Sequence, residues 1–562
     1  MWRLSLATSA VGIALILSGA AFAETQFQPK VQISPHASVP SATVFLKEPE
    51  EPGPILLTEV PVAEQLRDLI ETKIEKYVPR QQDRAGIEAF YRKRGFEPLW
   101  VSVGRPLPRA QQAIEFLQSV GADGLDPDDY PIPEFAQSTR LASDELILTN
   151  SVTTFVRHAS IGRVAFTRVS GAIYFDLRVP DPEQLLDTIA YSGDVRSTLD
   201  SFNPRHPQYK ALKTALALAR RSQAIDPANA ATGDVSSART DRIGSKSGAD
   251  RIDTLVANME RWRWLPHELG DTYAMVNIPD YTLRVVNSGQ TVWATRVVVG
   301  KPGEYATPLL AETMKYITIN PTWNVPPSII RNEYLPALTR DPNALARVGL
   351  KIEHDRDGSI HISQPPGERN ALGRIRFNFP NRFLVYQHDT PNKDLFDKTS
   401  RAFSHGCMRV QYPDHYAEVL LRISQPEDGY TAQLIRSLFG HSERTINLKQ
   451  PIPVYITYQT AFVDDADQLQ IRRDIYGIDR KITSLLKGDS EVADVSITRH
   501  YNGSNKPILA HVFPAPRRNK VTADFPAARK ARNESFGWLP RWDNYFQNRR
   551  SAYEPFGGIR SW

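Results

Sequence analysis

The stretch DTYAMVNIPDYTLRVVNSGQTVWATRVVV, residues 271–299, is where the periodicity of this chain changes. Tyr273, Met275 and Asn277 alternate with apolar neighbours. Leu283–Val286 and Val292–Val299 then flank an Asn287-Ser288-Gly289-Gln290 turn. A period of two with a Gly/Asn turn between apolar runs predicts paired strands. Further strands are expected at Lys315–Ile319, Arg382–Gln387 and Ile452–Tyr458, with helical patterns only at Asp414–Leu421 and Thr431–Phe439. Residues 271–484 therefore read as a β-rich domain with few helices.

Upstream the period is helical. Asp250 is expected to cap a helix whose face carries Ile252, Leu255, Met259 and Trp262, with 250–270 leading into the β domain. Residues 222–249 are rich in Ala, Ser, Gly, Asp and Thr, and no aromatic lies between Tyr209 and Trp262. Such a segment cannot bury enough apolar surface to offset its ordering, so it reads as a disordered linker. Before it, residues 61–221 form an α-helical domain. Val62, Leu66, Leu69, Ile70 and Ile74 share one face of its first helix, and further helices fall at Ala85–Arg94, Ala110–Val120 and Glu145–Ala159. The fold class is thus multidomain α+β, a helical N-terminal scaffold followed by a β-rich domain.

The ends read differently. Arg3, the apolar run Leu4–Leu17 and Ala21-Phe22-Ala23 have the form of a secretory signal with its cleavage site, over residues 1–23. An uncleaved inner-membrane anchor is the alternative. Residues 24–60 hold six prolines and read as a spacer. The expected location is the periplasm. Past residue 485 the pattern dissolves into a tail with thirteen Lys/Arg and seven Asp/Glu, although the whole chain carries only +5. That small net charge gives no nucleic-acid footprint. The tail reads either as solvated disorder or as a basic, aromatic-studded binding element.

The 562-residue chain has one cysteine, Cys407, which can form no internal disulfide. It sits in Ser404-His405-Gly406-Cys407-Met408-Arg409-Val410, downstream of His388 at the end of an expected strand. A thiol attacks a carbonyl as thiolate and needs a base within reach, which an imidazole held at a strand end supplies. Gly406 lets backbone and substrate approach closely and leaves amides free for an oxyanion. No His/Asp/Glu cluster has zinc spacing, since His354 and His361 lack a third ligand, and no metal or cofactor is expected.

The string resembles the signature of the L,D-transpeptidases, a histidine followed after some sixteen residues by Ser/Thr-His-Gly-Cys; fifteen residues stand between His388 and Ser404, and sixteen between His388 and His405. Further segments are similar to the large periplasmic members: His388-Asp389-Thr390-Pro391-Asn392-Lys393, Asn320-Pro321-Thr322-Trp323, Asn370-Ala371-Leu372-Gly373 and Glu260-Arg261-Trp262-Arg263-Trp264-Leu265-Pro266. The resemblance implies a β-sandwich-like catalytic domain with a substrate-capping insertion near 324–366. It implies Cys407 as nucleophile, His388 as general base and then acid, and backbone at Ser404, His405 and Gly406 orienting the site. The His405 ring either serves that site or packs structurally within the turn. Arg409 either meets a substrate carboxylate or makes a surface ion pair, and Tyr386 and Asn370 are expected on the pocket wall. The implied partners are peptidoglycan stem peptides, a tetrapeptide donor and a diaminopimelate acceptor. The peptidoglycan-binding repeat often present in large members is not recognisable. A hydrolase with the same nucleophile, attachment of an outer-membrane protein to the wall, and an idle wall-binding scaffold are the rival readings.

Overall fold

The structure, a computed structural model, describes residues 60–225, 248–354 and 360–488. The segments expected to be a secretory signal and a spacer (up to residue 59), most of the expected linker (226–247) and the expected tail beyond 488 lie outside the described residues. Among the described residues no helix is long and apolar enough to cross a membrane.

The expected helices form. Helix α1 (Val60–Tyr77) buries Val62, Leu66 and Ile70, with Leu69 and Ile74 at the margin. Helices α2 (Gln81–Lys93) and α3 (Pro108–Ser119) follow, and then α4 (Leu141–Ile161), which is buried on most sides and centres the scaffold core. On α4, Glu145 accepts hydrogen bonds from the Trp100 amide at 2.9 Å and the Tyr91 hydroxyl at 2.8 Å; burial pushes its carboxyl up to about 7. Helix α5 (Pro182–Ala190) starts with Asp181 accepting from the Glu183 and Gln184 amides, and with Pro182 in its first turn. Helix α6 (Pro207–Ile225) runs past the expected boundary: Ser222–Ile225 continue it, because the run ALALARRSQAI is composed of good helix formers. Helix α7 (Gly248–Trp262) likewise begins two residues before Asp250.

The charged residues of the Glu260–Pro266 motif are buried clips. Glu260 accepts from the Val164 amide at 2.7 Å, and Arg263 donates to the Asp123 carbonyl at 2.6 Å and to the Tyr209 hydroxyl at 2.8 Å. Arg261 lies 2.6 Å from Asp479 on the terminal helix, both nearly inaccessible. Trp262 and Trp264 pack in the same core as the strands. Helical scaffold and β domain are thereby packed as parts of one unit.

One sheet dominates the β domain. Its strands are β1 (Ile173–Tyr174), β2 (Thr272–Asn277), β3 (Thr282–Asn287), β4 (Gln290–Gly300), β5 (Leu309–Ile319), β6 (Ile375–Asn378), β7 (Gln387–His388), β8 (Ala402–Ser404), β9 (Met408–Val410) and β10 (Arg444–Thr457). The order is β6-β7-β9-β4-β3-β2-β10-β5-β1, with β8 alongside β4. β6 also pairs with β5, so the sheet closes on itself. The β2–β3–β4 meander is the one legible in residues 271–299, and β1 is a scaffold segment added in parallel to β5.

The strand expected at Arg382–Gln387 shrinks to Gln387–His388. The side chain of Asn381 takes over the local hydrogen bonding: its Oδ1 accepts from the Phe383 and Val385 amides and its Nδ2 donates to the Phe379 and Val385 carbonyls. This winds Arg382–Leu384 into a turn, with Leu384 at φ +56°. The insertion is a small subdomain. Trp323–Asn324, Lys351–His354 and Ile360–Gln364 make a three-stranded sheet over short helices, around a core of Val325, Ile329, Leu345, Leu350 and Ile362.

Candidate active site

Three strands set the site. In β6, β7 and β9 the residues Ile375, Phe377, Gln387, Met408 and Val410 face the core, and Tyr416 donates to Gln387 at 2.8 Å from behind. Alternation then puts Arg376, Tyr386, His388, Cys407 and Arg409 on the opposite face. Register aligns Arg376, His388 and Arg409 in one row across the three strands. The Met408 amide donates to the Tyr386 carbonyl, which sets Tyr386 beside Cys407. The sixteen-residue spacing of the two motifs thus resolves into neighbouring parallel strands.

His388 is buried, and its Nδ1 meets the Asp389 carbonyl at 2.5 Å. A carbonyl only accepts, so Nδ1 carries the hydrogen and Nε2 keeps the lone pair of the neutral ring. The Leu372 carbonyl also hydrogen-bonds the ring. Burial, reinforced by Arg409, holds the imidazole down at about 3. Burial pushes the Cys407 thiol up to about 11, against the Tyr386 amide, which hydrogen-bonds the sulfur, and against Arg409 and Arg376, all of which favour thiolate. With the thiol held up and the imidazole held down, burial favours the neutral form of both groups.

The loop before Cys407 is held from two sides. Ser404, buried, donates from Oγ to the Cys407 carbonyl at 2.5 Å and accepts from the Gly406 amide at 3.2 Å. Gly406 adopts φ +114°, which a side chain would strain. Thr307 donates to the Gly406 carbonyl at 2.8 Å and accepts from the Gly300 amide at 2.8 Å; a Cβ on Gly300 would lie 1.9 Å from the Tyr305 carbonyl oxygen.

The His405 ring leaves the turn. Its Nε2 pairs with Glu333 of the insertion at 2.7 Å, and its edge meets Tyr305 at 4.5 Å between ring centres. Through Glu333 the ring reaches the insertion rather than a partner within the turn. The Tyr386 hydroxyl accepts from the Trp323 side chain at the insertion's entry, and its ring lies 5.8 Å from that of His388. Asn370, expected on the pocket wall, is a fastener. Its Nδ2 donates to the Pro321, Gln364 and Pro365 carbonyls and its Oδ1 accepts from the Leu372 amide, so no polar atom is left for a ligand. In the same Asn370–Gly373 motif, Leu372 supplies a carbonyl to His388, and Gly373 leaves room for the Asp389 carboxylate, which a Cβ would approach to 2.4 Å.

Asp389, Thr307, Arg376, Trp323 and Glu333 carry no role in the sequence reading. Asp389 accepts from the Arg374 amide at 2.8 Å, the Thr390 amide at 2.7 Å and the Lys393 ammonium, and so anchors the carbonyl that orients His388. Its place next to His388 was the available clue; the others lie tens of residues away from Cys407 and carried none.

Residues 271–431 match the L,D-transpeptidase catalytic domain, which gives the class of the fold. Residues 85–216 match the scaffold domain. A Haemophilus influenzae protein named "Putative L,D-transpeptidase" is 27% identical over 354 residues, covering 58% of this chain and 70% of its own. An L,D-transpeptidase from Mycobacterium smegmatis is 14% identical with a TM-score of 0.18; the match covers 33% of this chain and 58% of that one. The catalytic domain of the Enterococcus faecium L,D-transpeptidase is 14% identical with a TM-score of 0.16, covering 34% of this chain and all of that one. Scores this low carry no weight for the fold. By its two matched domains the chain belongs to the L,D-transpeptidase family, as a member with an N-terminal scaffold domain.

Proposed function

We propose that this protein is a cysteine acyltransferase that cross-links peptidoglycan stem peptides. The observation that supports it most is Cys407 on the same sheet face as His388, with the Tyr386 amide on its sulfur. His388 Nε2 takes the thiol proton as the sulfur attacks the carbonyl of the L-to-D bond in a tetrapeptide donor. The C–S bond forms, the C–N bond breaks, and D-alanine leaves with the proton returned by the imidazole. An acceptor amine, the side-chain amine of diaminopimelate in a neighbouring stem, attacks the thioester. His388 removes its proton, the amide forms, and the thiolate is reprotonated. Arg409 and Tyr386 line the donor site, and the insertion covers it. Export to the periplasm, and contact of the basic tail with the wall or an envelope protein, complete the reading.

The Enterococcus faecium catalytic domain has been solved acylated by ertapenem, and the same strained carbonyl is expected to acylate Cys407 here. The deciding experiment is mass spectrometry of sacculi incubated with the full-length protein. Cross-linked dimers that vanish with Cys407→Ala support transfer; shortened monomers alone mean hydrolysis, and unchanged sacculi mean the reading is wrong.

A further inference from the structure

We propose that Tyr476 is a positioning residue for acyl transfer: its hydroxyl ties together the two ends of the β4–β5 loop, and that loop holds the turn before Cys407. The inference rests on the acyl-transfer reading above. It extends the machinery beyond residues 271–431, the part matched to the catalytic domain.

The loop leaves β4 at Gly300 and enters β5 at Leu309, and its tip, Lys301–Glu304, is exposed. From both ends it grips the turn. The Lys301 amide donates to the Ser404 carbonyl at 3.0 Å, and the Thr307 hydroxyl donates to the Gly406 carbonyl at 2.8 Å. The Tyr476 hydroxyl joins those two ends: it donates to the Gly300 carbonyl at 2.7 Å and accepts from the Thr307 amide at 3.2 Å. Burial pushes the phenol up to about 12, so it remains a donor at neutral pH.

Tyr476 is itself firmly held. Its amide donates to the Tyr458 hydroxyl at 2.8 Å, and the two rings stack with centres 5.5 Å apart. The Tyr458 hydroxyl donates to Asp474 at 2.8 Å, and Asp474 accepts from the Arg480 amide at 3.2 Å in the terminal helix, Ile478–Leu486. Asp479 of that helix is the partner of Arg261 on α7, whose guanidinium lies 5.4 Å from the centre of the Tyr458 ring. The hydroxyl is thus presented by packed elements and not by a free loop end.

An exposed loop with a glycine at φ +88°, here Gly303, has many conformations open to it. Tying its ends removes part of that freedom before substrate arrives, and donors fixed in advance are what stabilise a developing oxyanion. A peptide is planar, so a Gly406 carbonyl held from behind fixes the direction of the Cys407 N–H. Without the phenol hydroxyl, the Gly300 carbonyl and the Thr307 amide lose their common partner, and Thr307 is freer to leave Gly406. The sulfur and His388 are untouched by that loss, which makes the effect specific to reactions that pass through an oxyanion.

The test uses the full-length protein. Tyr476→Phe keeps the ring stack on Tyr458 and removes only the hydroxyl. Acylation of Cys407 by ertapenem, followed by stopped flow and intact mass, should slow on the order of tenfold, less than the roughly 10²–10³ for deleting an oxyanion donor outright. Alkylation by iodoacetamide displaces iodide at a saturated carbon and builds no oxyanion, so its rate should not change. In a Thr307→Val background Tyr476→Phe should add little, because both act through the same carbonyl. Tyr458→Phe, which releases the Tyr476 amide, should show the same selective slowing to a smaller degree; this second variant and thermal melting guard against a loss of fold. A wild-type ertapenem rate in Tyr476→Phe would overturn the proposal. So would equal slowing of ertapenem and iodoacetamide, or full additivity with Thr307→Val. A wild-type thiol that ertapenem leaves unlabelled would overturn the acyl-transfer reading, and this proposal with it.

Discussion

The side-chain hydroxyl of Thr307 donates a 2.8 Å hydrogen bond to the carbonyl of Gly406, the residue before Cys407. Carbonyl and following N–H point opposite ways across a planar peptide. Pinning the Gly406 oxygen behind the turn therefore aims the Cys407 amide to the other side, where an oxyanion would form. Thr307→Val keeps the shape and removes the hydroxyl. Acylation by a carbapenem is expected to slow by up to about 10²-fold, within the range for losing an oxyanion donor, and Thr307→Ser to stay near wild type. Stopped-flow acylation kinetics distinguish the two; a Val variant at full rate would leave the turn oriented by Ser404 alone.

On the proposed function ertapenem should give one adduct by intact mass, and Cys407→Ala should abolish it. His388→Ala should slow acylation by about 10² to 10⁴, the range for general acid–base catalysis. An adduct persisting in Cys407→Ala would identify a different reactive residue.

The depressed imidazole makes acid stability a readout. The unfolded chain protonates His388 near its ordinary 6.5 and the folded chain only near 3. Its contribution to stability is thus present above 6.5 and lost as pH falls toward 3. The raised thiol works at the other end: its contribution is present below 9.0 and lost as pH rises through about 11. Melting temperatures of wild type and His388→Asn across pH 3–7 should converge toward the acid end. Parallel curves would mean that His388 is not buried as a neutral ring. Acylation by the free enzyme should be nearly flat from about pH 5 to 8, with no inflection at 6.5.

The His405–Glu333 contact tests what the insertion contributes. Both side chains are partly exposed, at 30% and 41%, so the pair is worth about 0.2–1 kcal/mol. Glu333→Ala should raise the donor KM by no more than about fivefold and leave kcat near wild type. A collapse of kcat would assign His405 to the chemistry.

Arg261 and Asp479 hold the scaffold-side helix to the β domain at 2.6 Å in a water-excluded place. Asp479→Ala leaves a buried guanidinium unpaired, at a cost of about 3–5 kcal/mol in urea unfolding. Replacing both by apolar residues of similar volume should recover much of that loss.

Local pattern determined a good deal of this protein. The alternation in residues 271–299 specified the β2–β3–β4 meander, because a strand with one buried face repeats every two residues. The faces of α1 and α7 were legible for the matching reason at a period of 3.6. Cys407, His388 and the glycine before the cysteine stood out by residue type and spacing. Tertiary structure decided the rest. Only the parallel pairing of β7 with β9 sets Cys407 and His388 on one face, and only the return of β6 between β5 and β7 adds Arg376 to the row. The contacts of Asn370 and His405 were not legible in their motifs, since they depend on which carbonyls and carboxylates the fold brings to each side chain. Those partners lie up to 72 residues away in the chain. No local period encodes such a meeting, because it is fixed by packing between elements rather than within them.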